Sequence, residues 1–108
     1  MDVLDAARAK SWFAVLATTD QSQVAAMTLG PGKSSGEKGN EHPDSDQVLV
    51  VLEGEVQAEI GEQKDTLRAG QAVVVPAGAS HRFTNEGKVR AVTLSVYAPP
   101  AYDPDETG

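Results

Sequence analysis

The chain contains two histidines, His42 and His81, and no cysteine. Imidazole chemistry therefore runs through these two side chains, and neither a thiolate metal site nor a disulfide can form. Near His42, the run HPDSDQ supplies Asp44, Asp46 and Gln47. Neutral imidazole with carboxylate is a donor set for zinc, iron or manganese, and two histidines with one carboxylate would form the open facial arrangement of non-haem iron sites. The same segment also reads as a solvated turn, because Pro, Asp and Ser are all turn formers. His81 has a different setting. It comes after Pro76-Ala77-Gly78, where proline fixes φ and glycine reaches angles other residues resist, so the turn aims the imidazole. Alternation from His81 sends Arg82 outward and brings Phe83 inward beside the imidazole, as the wall of a pocket. No phosphate loop, dinucleotide fingerprint or nucleophile elbow is present.

The elements that must hold these residues read as strands. Extended runs occur at 11–19, 23–29, 47–52, 55–60, 64–70, 71–76, 81–85 and 89–97. Turns every 8–12 residues between such runs predict an antiparallel sandwich or barrel. The run QVLVVL at 47–52 is apolar on both faces, as expected of a strand inside a barrel or sandwich. In EVQAEI, Val56, Ala58 and Ile60 share one face. Trp12, Met27 and Tyr97 lie on strands and are expected in the core, with pocket lining as a second possibility. Glu53-Gly54-Glu55 reads as a hairpin with exposed acids. Residues Asp2 to Lys10 predict one or two helical turns with Asp2 as N-cap. The last residues carry three prolines and three acids, an arm over the surface or a disordered tail.

The stretch GPGKSSGEKGNEHPDSD breaks the pattern. Loops beyond about 12–15 residues are uncommon in compact domains and are usually functional or disordered. This one leads to His42 and is expected to serve as a lid or rim. By strand parity His42, Asp44 and Asp46 would share a face that Gln47 opposes. A bulge, or a loop conformation forced by Pro43, would bring Gln47 inside.

The 108 residues suggest one domain with one core. A net charge of −7 and a pI near 4.6 repel a phosphate backbone, so nucleic acid is not an expected partner. No apolar run approaches the ~20 residues that span a bilayer, and the first ten residues are not a secretory signal. The expected setting is cytoplasmic, without a membrane.

Gly70, Pro76-Ala77-Gly78, His81 and Asn85 resemble the second motif of the cupin family at every fixed position. Val51 to Glu55 looks like the end of the first motif and Gly36 like its beginning, with 15 residues between Gly54 and Gly70. The H-x-x-x-D-Q pattern from His42 to Gln47 and the Tyr97–Tyr102 ending are similar to small bacterial cupins described as mannose-6-phosphate-isomerase-like. The first motif departs from the family's His-x-His and glutamate: Asp44 stands for the second histidine, and Gln47 stands where glutamate belongs. The resemblance implies an all-β, antiparallel double-stranded β-helix (a jelly-roll barrel) filling 1–108, with its core at about 11–98 and residues 99–108 as an arm. It implies a divalent ion (Fe, Mn or Zn) held by His42, Asp46, Gln47 and His81, with Phe83 in the pocket and a small molecule in the barrel. The alternative is a metal-free barrel binding a sugar-like molecule without catalysis. Small cupins commonly pair, and the apolar strand Ser11 to Thr18 would serve a homodimer through its edge or face.

Overall fold

The computed structural model describes residues 1–9, 11–40 and 42–108. Eight strands form: β1 (Phe13–Thr18), β2 (Gln23–Leu29), β3 (Asp46–Glu53), β4 (Glu55–Ile60), β5 (Gln63–Arg68), β6 (Ala72–Val75), β7 (His81–Thr84) and β8 (Ala91–Ala98). They build two antiparallel sheets, one in the order β1-β2-β8-β3-β6 and one in the order β5-β4-β7. This is the expected jelly-roll barrel. Alternation drives its closure: Leu49 and Val51 of β3, Val56 and Ala58 of β4, Val75 of β6 and Phe83 of β7 all turn inward into one core with Met27 and Leu29.

β3 is the expected strand inside the barrel, with Leu49 and Val51 inward and its outer face apolar: Val48 and Leu52 are exposed, and Val74 of β6 is 56% exposed. Among the described residues nothing covers this part of the five-stranded sheet, so its apolar outer residues meet solvent. Elsewhere the same face is covered. A single 3₁₀ turn, Ala6–Arg8, sets Ala6 against Ala26 and Val92. Its N-cap is Asp5, whose Oδ1 accepts from the Ala7 amide at 3.1 Å, rather than Asp2. The longer helix expected from Asp2 does not form, because only Ala6 of the turn finds an apolar surface to cover; the Lys10 end of that expectation lies outside the described residues.

Two segments without strands are tied down along sheet edges. The long stretch after β2 runs beside β7. The Ser35 amide donates to Phe83 O at 2.8 Å, and Gly39 and His81 exchange two backbone bonds at 3.0 and 3.2 Å. These bonds lay the segment along β7 at the rim of the barrel. The arm 99–108 crosses the outer edge of β1, where Val15 N donates to Glu106 O at 3.0 Å and Gly108 N to Phe13 O at 2.7 Å. Buried Gln23 clamps the arm from inside. Its Oε1 accepts from the amides of Ala101 (3.1 Å) and Tyr102 (2.9 Å), while Nε2 donates to Tyr102 O (2.8 Å) and to Thr18 Oγ1 (3.1 Å).

Two motif residues have structural explanations. Gly54 turns β3 into β4 at φ 72°, and a Cβ there would sit 2.5 Å from Arg90 O, so any side chain would force the backbone to shift. Asn85 is buried and ties three backbone groups: Nδ2 donates to Leu29 O and Val89 O, both at 2.8 Å, and Oδ1 accepts from Gly87 N at 2.9 Å.

Candidate functional site

His81 opens β7 behind a tight turn, in which Ala79 N donates to Pro76 O at 3.0 Å and Gly78 adopts φ 88°. Asp46 helps hold this turn from across the sheet, its Oδ1 accepting from Ala77 N at 2.8 Å. His42 sits in a turn of its own, closed by Ser45 N donating to His42 O at 3.2 Å. That turn ends before β3 begins at Asp46, so strand parity does not extend back to residue 42.

The consequence is a different inner set from the one parity gives. His42 and Gln47 are buried, whereas Asp44 and Asp46 are exposed. Asp46 is occupied with the Ala77 amide, on the outside; the structure does not bring it to the histidines. Parity is reset by the His42–Ser45 turn, and this places Gln47 inward without a bulge.

The two imidazoles meet. Their Nε2 atoms are 3.0 Å apart and their ring centroids 4.5 Å, with both residues buried at 4% and 8% exposure. Each ring is oriented through its other nitrogen: His42 Nδ1 lies 3.2 Å from Ser45 O, and His81 Nδ1 lies 3.1 Å from Ala79 O. A carbonyl oxygen only accepts, so each of these contacts is a hydrogen bond when Nδ1 carries the ring hydrogen, an arrangement that leaves the two Nε2 atoms facing one another. A proton or a metal ion shared between the two Nε2 atoms suits that approach. Tyr97 meets His42 edge-on at 5.2 Å, and Phe83 stands 6.1 Å from His81, the position expected of it.

Gln47 supplies a further acceptor. Its Nε2 donates to Ser95 Oγ at 3.0 Å, whereas its Oε1 is buried without a hydrogen-bond partner among the described residues. Leaving such an atom unpaired costs about 1–3 kcal/mol, which a bound group would recover. Among the described residues, no cluster of three or more His, Cys, Asp or Glu side chains is placed to hold a metal ion.

Gln47 and His81 line a cavity of about 280 Å³. Phe13, Phe83, Tyr97 and Tyr102 give it aromatic walls together with Trp12 and Met27, while Ser35, Glu37 and Glu106 add polar groups. This is near the lower end of small-molecule pockets, about 300–1,000 Å³. Met27 and Tyr97 are thus buried and lining at once, whereas Trp12 is 46% exposed, ahead of β1 rather than in the core. Sequence reasoning missed Tyr102, Glu37 and Glu106. They arrive on the arm and the rim, whose docking depends on partners distant in sequence, and only the unusual length of the rim hinted at one of them.

Comparison with known proteins agrees with this architecture. The Bacillus subtilis (strain 168) protein YrkC is 37% identical over 84 residues, which is 72% of this chain and 44% of YrkC. The chain spans about half the length of the curated relatives it matches. BH2720 of Bacillus halodurans superposes with a TM-score of 0.85 at 29% identity, covering 94% of this chain and 80% of its own. SPO2919 of Silicibacter pomeroyi, a cupin named a sugar phosphate isomerase, shares the fold at a TM-score of 0.69 and 24% identity, covering 82% of this chain and 60% of its own. A family model described as Cupin domain matches residues 25–97, from β2 to β8, and so takes in both histidines and the turn that aims the second: the chain belongs to the cupin domain family.

Proposed function

We propose that the barrel holds one divalent metal ion between His42 and His81, with the Gln47 amide oxygen as a third protein donor, and presents it to a small molecule in the cavity. The observation that carries this reading is the 3.0 Å approach of two Nε2 atoms whose Nδ1 atoms both face carbonyls. Metal-binding imidazoles are commonly oriented in this way, by donating the other N–H to a backbone carbonyl. Two nitrogens on one ion with bonds of ~2.1 Å stand about 3.0 Å apart at the right angle of an octahedral site and about 3.4 Å apart at the tetrahedral angle of zinc. The orphaned Oε1 of Gln47, on the wall shared with His81, supports the same reading. Imidazole with amide oxygen suits zinc, iron or manganese. Such an ion supplies Lewis acidity toward an oxygen of the bound molecule. The chain itself holds the two rings through Ser45 O and Ala79 O, and its aromatic walls keep water from the bound molecule.

Elemental analysis of protein purified without chelator or a metal-charged resin tests this. About one metal per chain is expected, with His81→Ala losing it while its β-rich circular dichroism is unchanged. Protons compete for the same nitrogens, so affinity falls on acidification. If the wild-type protein neither carries nor takes up zinc, iron or manganese, the metal reading is wrong. The alternative then stands: a metal-free barrel binding a sugar-like molecule, with a proton between the rings. That second reading is favoured by the departure of Asp46 from the site, which leaves no carboxylate among the described donors.

In this reading residues 1–108 work as one cytoplasmic domain that pairs with a second copy. The edge of β1 is already occupied by the arm. The open surface is instead the row Val74, Val48, Val96 and Val24, one residue on each of four neighbouring strands. Light scattering giving a dimer mass for the parent and a monomer for Val74→Lys is the expected result.

A further inference from the structure

The described lining carries two carboxylates and a free amide oxygen, and they come from three separate parts of the chain. Glu37 stands on the rim along β7, Glu106 on the arm along β1, and Gln47 on β3. Gln47 offers its Oε1 because its Nε2 is engaged by Ser95. His81 Nδ1 is turned to Ala79 O, away from any ligand. Among the described lining residues there is no lysine or arginine. The basic residues nearby are directed elsewhere: Lys38, next to Glu37, donates to Gly61 O, and Arg82, next to His81, pairs with Glu59 at 2.8 Å. The same cavity is lined by aromatic rings, Phe13 packing 5.0 Å from Tyr102 and Tyr97 5.2 Å from it in an edge-on contact. Trp12 stands half-exposed at the same cavity.

We infer that this cavity selects by charge: the molecule it takes is uncharged or cationic, presents hydrogen-bond donors from an apolar or ring-shaped body, and is neither a phosphate ester nor a carboxylate. A phosphate or carboxylate is held best by lysine or arginine, which the described lining lacks, and it would meet the like charges of Glu37 and Glu106 at the exposed side of the cavity. An amine or a hydroxyl-rich ring meets the opposite: acceptors at its edge and aromatic faces that attract a cation or an apolar ring face. The buried Oε1 of Gln47 needs an N–H, O–H or metal partner and gains nothing from another acceptor. The inference rests on the reading that a small molecule occupies the cavity and concerns the chain's own side chains, so it is decided in the chelator-treated protein; an ion between the histidines would add positive charge that the side chains lack.

Trp12 is the only tryptophan in the chain, which makes its fluorescence a reporter of the cavity. At low ionic strength, caesium is expected to quench it more efficiently than iodide, with acrylamide as the neutral reference. The double variant Glu37→Gln/Glu106→Gln is expected to narrow that difference. Binding is then compared with pairs of probes that differ in charge, glucose against glucose 6-phosphate and 2-phenylethylamine against phenylacetate. The readouts are Trp12 emission and melting temperature, in protein as purified and after chelator treatment. In each pair, affinity for the anion is expected to be at least ~10-fold weaker. Several results overturn the inference: equal quenching by iodide and caesium, a difference that the double variant leaves intact, an anion that binds as well as its partner, or silence from both uncharged and cationic probes at millimolar concentration. Metal content, measured separately by elemental analysis, decides the metal reading whichever way these results fall.

Discussion

Gln23→Ala releases the arm without touching the histidines, and the structure sets the size of the effect. Three of the four hydrogen bonds made by this buried amide reach the arm, at Ala101 N, Tyr102 N and Tyr102 O. At about 1 kcal/mol net for each bond, the clamp contributes about 3 kcal/mol to arm docking. At 1.4 kcal/mol per tenfold, the arm should open roughly a hundredfold more often. Hydrogen exchange read at Ala101 and Tyr102 is the assay, with faster exchange there and little change at Leu49 or Val51 in the core. Tyr102 would leave the cavity wall and Trp12 would become more accessible to acrylamide. Gln23→Glu refines the test, since a carboxylate still accepts from both amides but sets an acceptor against Tyr102 O. It is expected to fall between parent and Ala. If exchange at Ala101 and Tyr102 is unchanged in Gln23→Ala, the clamp is not what holds the arm, and the β1 bonds of Glu106 and Gly108 suffice.

Asp46→Asn keeps an oxygen for Ala77 N, so metal uptake should persist, with stability lowered by ~1 kcal/mol or less in urea unfolding; loss of the metal would instead place that carboxylate among the ligands. Gly54→Ala should cost about 2–4 kcal/mol in the same assay, because its Cβ would stand 2.5 Å from Arg90 O at a positive φ; a loss below ~1 kcal/mol would mean that the corner relaxes freely. Glu59 titrates below its ordinary value of 4.5, chiefly through its hydrogen bond from Arg82, so its contribution to stability is present above that value and is lost as pH falls through the lowered one. Glu59→Gln should therefore be less stable than the parent at neutral pH, with the two melting curves converging in strong acid.

What could be read from the sequence depended on range. The Pro76-Ala77-Gly78 turn carries its own instructions, and both His81 and Phe83 point where local rules send them. β2 is bounded at Gln23 and Leu29, as its turn residues indicate. The inner set around His42 was harder, because one short turn decides whether parity runs through Asp46 or Gln47, and a one-residue slip inverts every side chain. HPDSD was legible as a turn, but the residue at which the turn hands over to the strand was not. The prolines and acids marked residues 99–108 as a surface arm or a disordered tail, but where the arm docks had no local signal. Its docking is written in Gln23, 79 positions before Tyr102, a spacing that no window along the chain can join.

The ten residues of the arm do two jobs with one set of contacts. They complete the cavity through Tyr102 and Glu106, and they satisfy the outer edge of β1 through Glu106 and Gly108. The integrity of the cavity wall and the protection of a strand edge are therefore tied together. A chain whose arm has swung out exposes an unpaired amide at Val15 and an unpaired carbonyl at Phe13, ready to pair with whatever strand is near. A molecule that fills the cavity and draws Tyr102 back would guard the protein against its own aggregation, although it touches none of the edge.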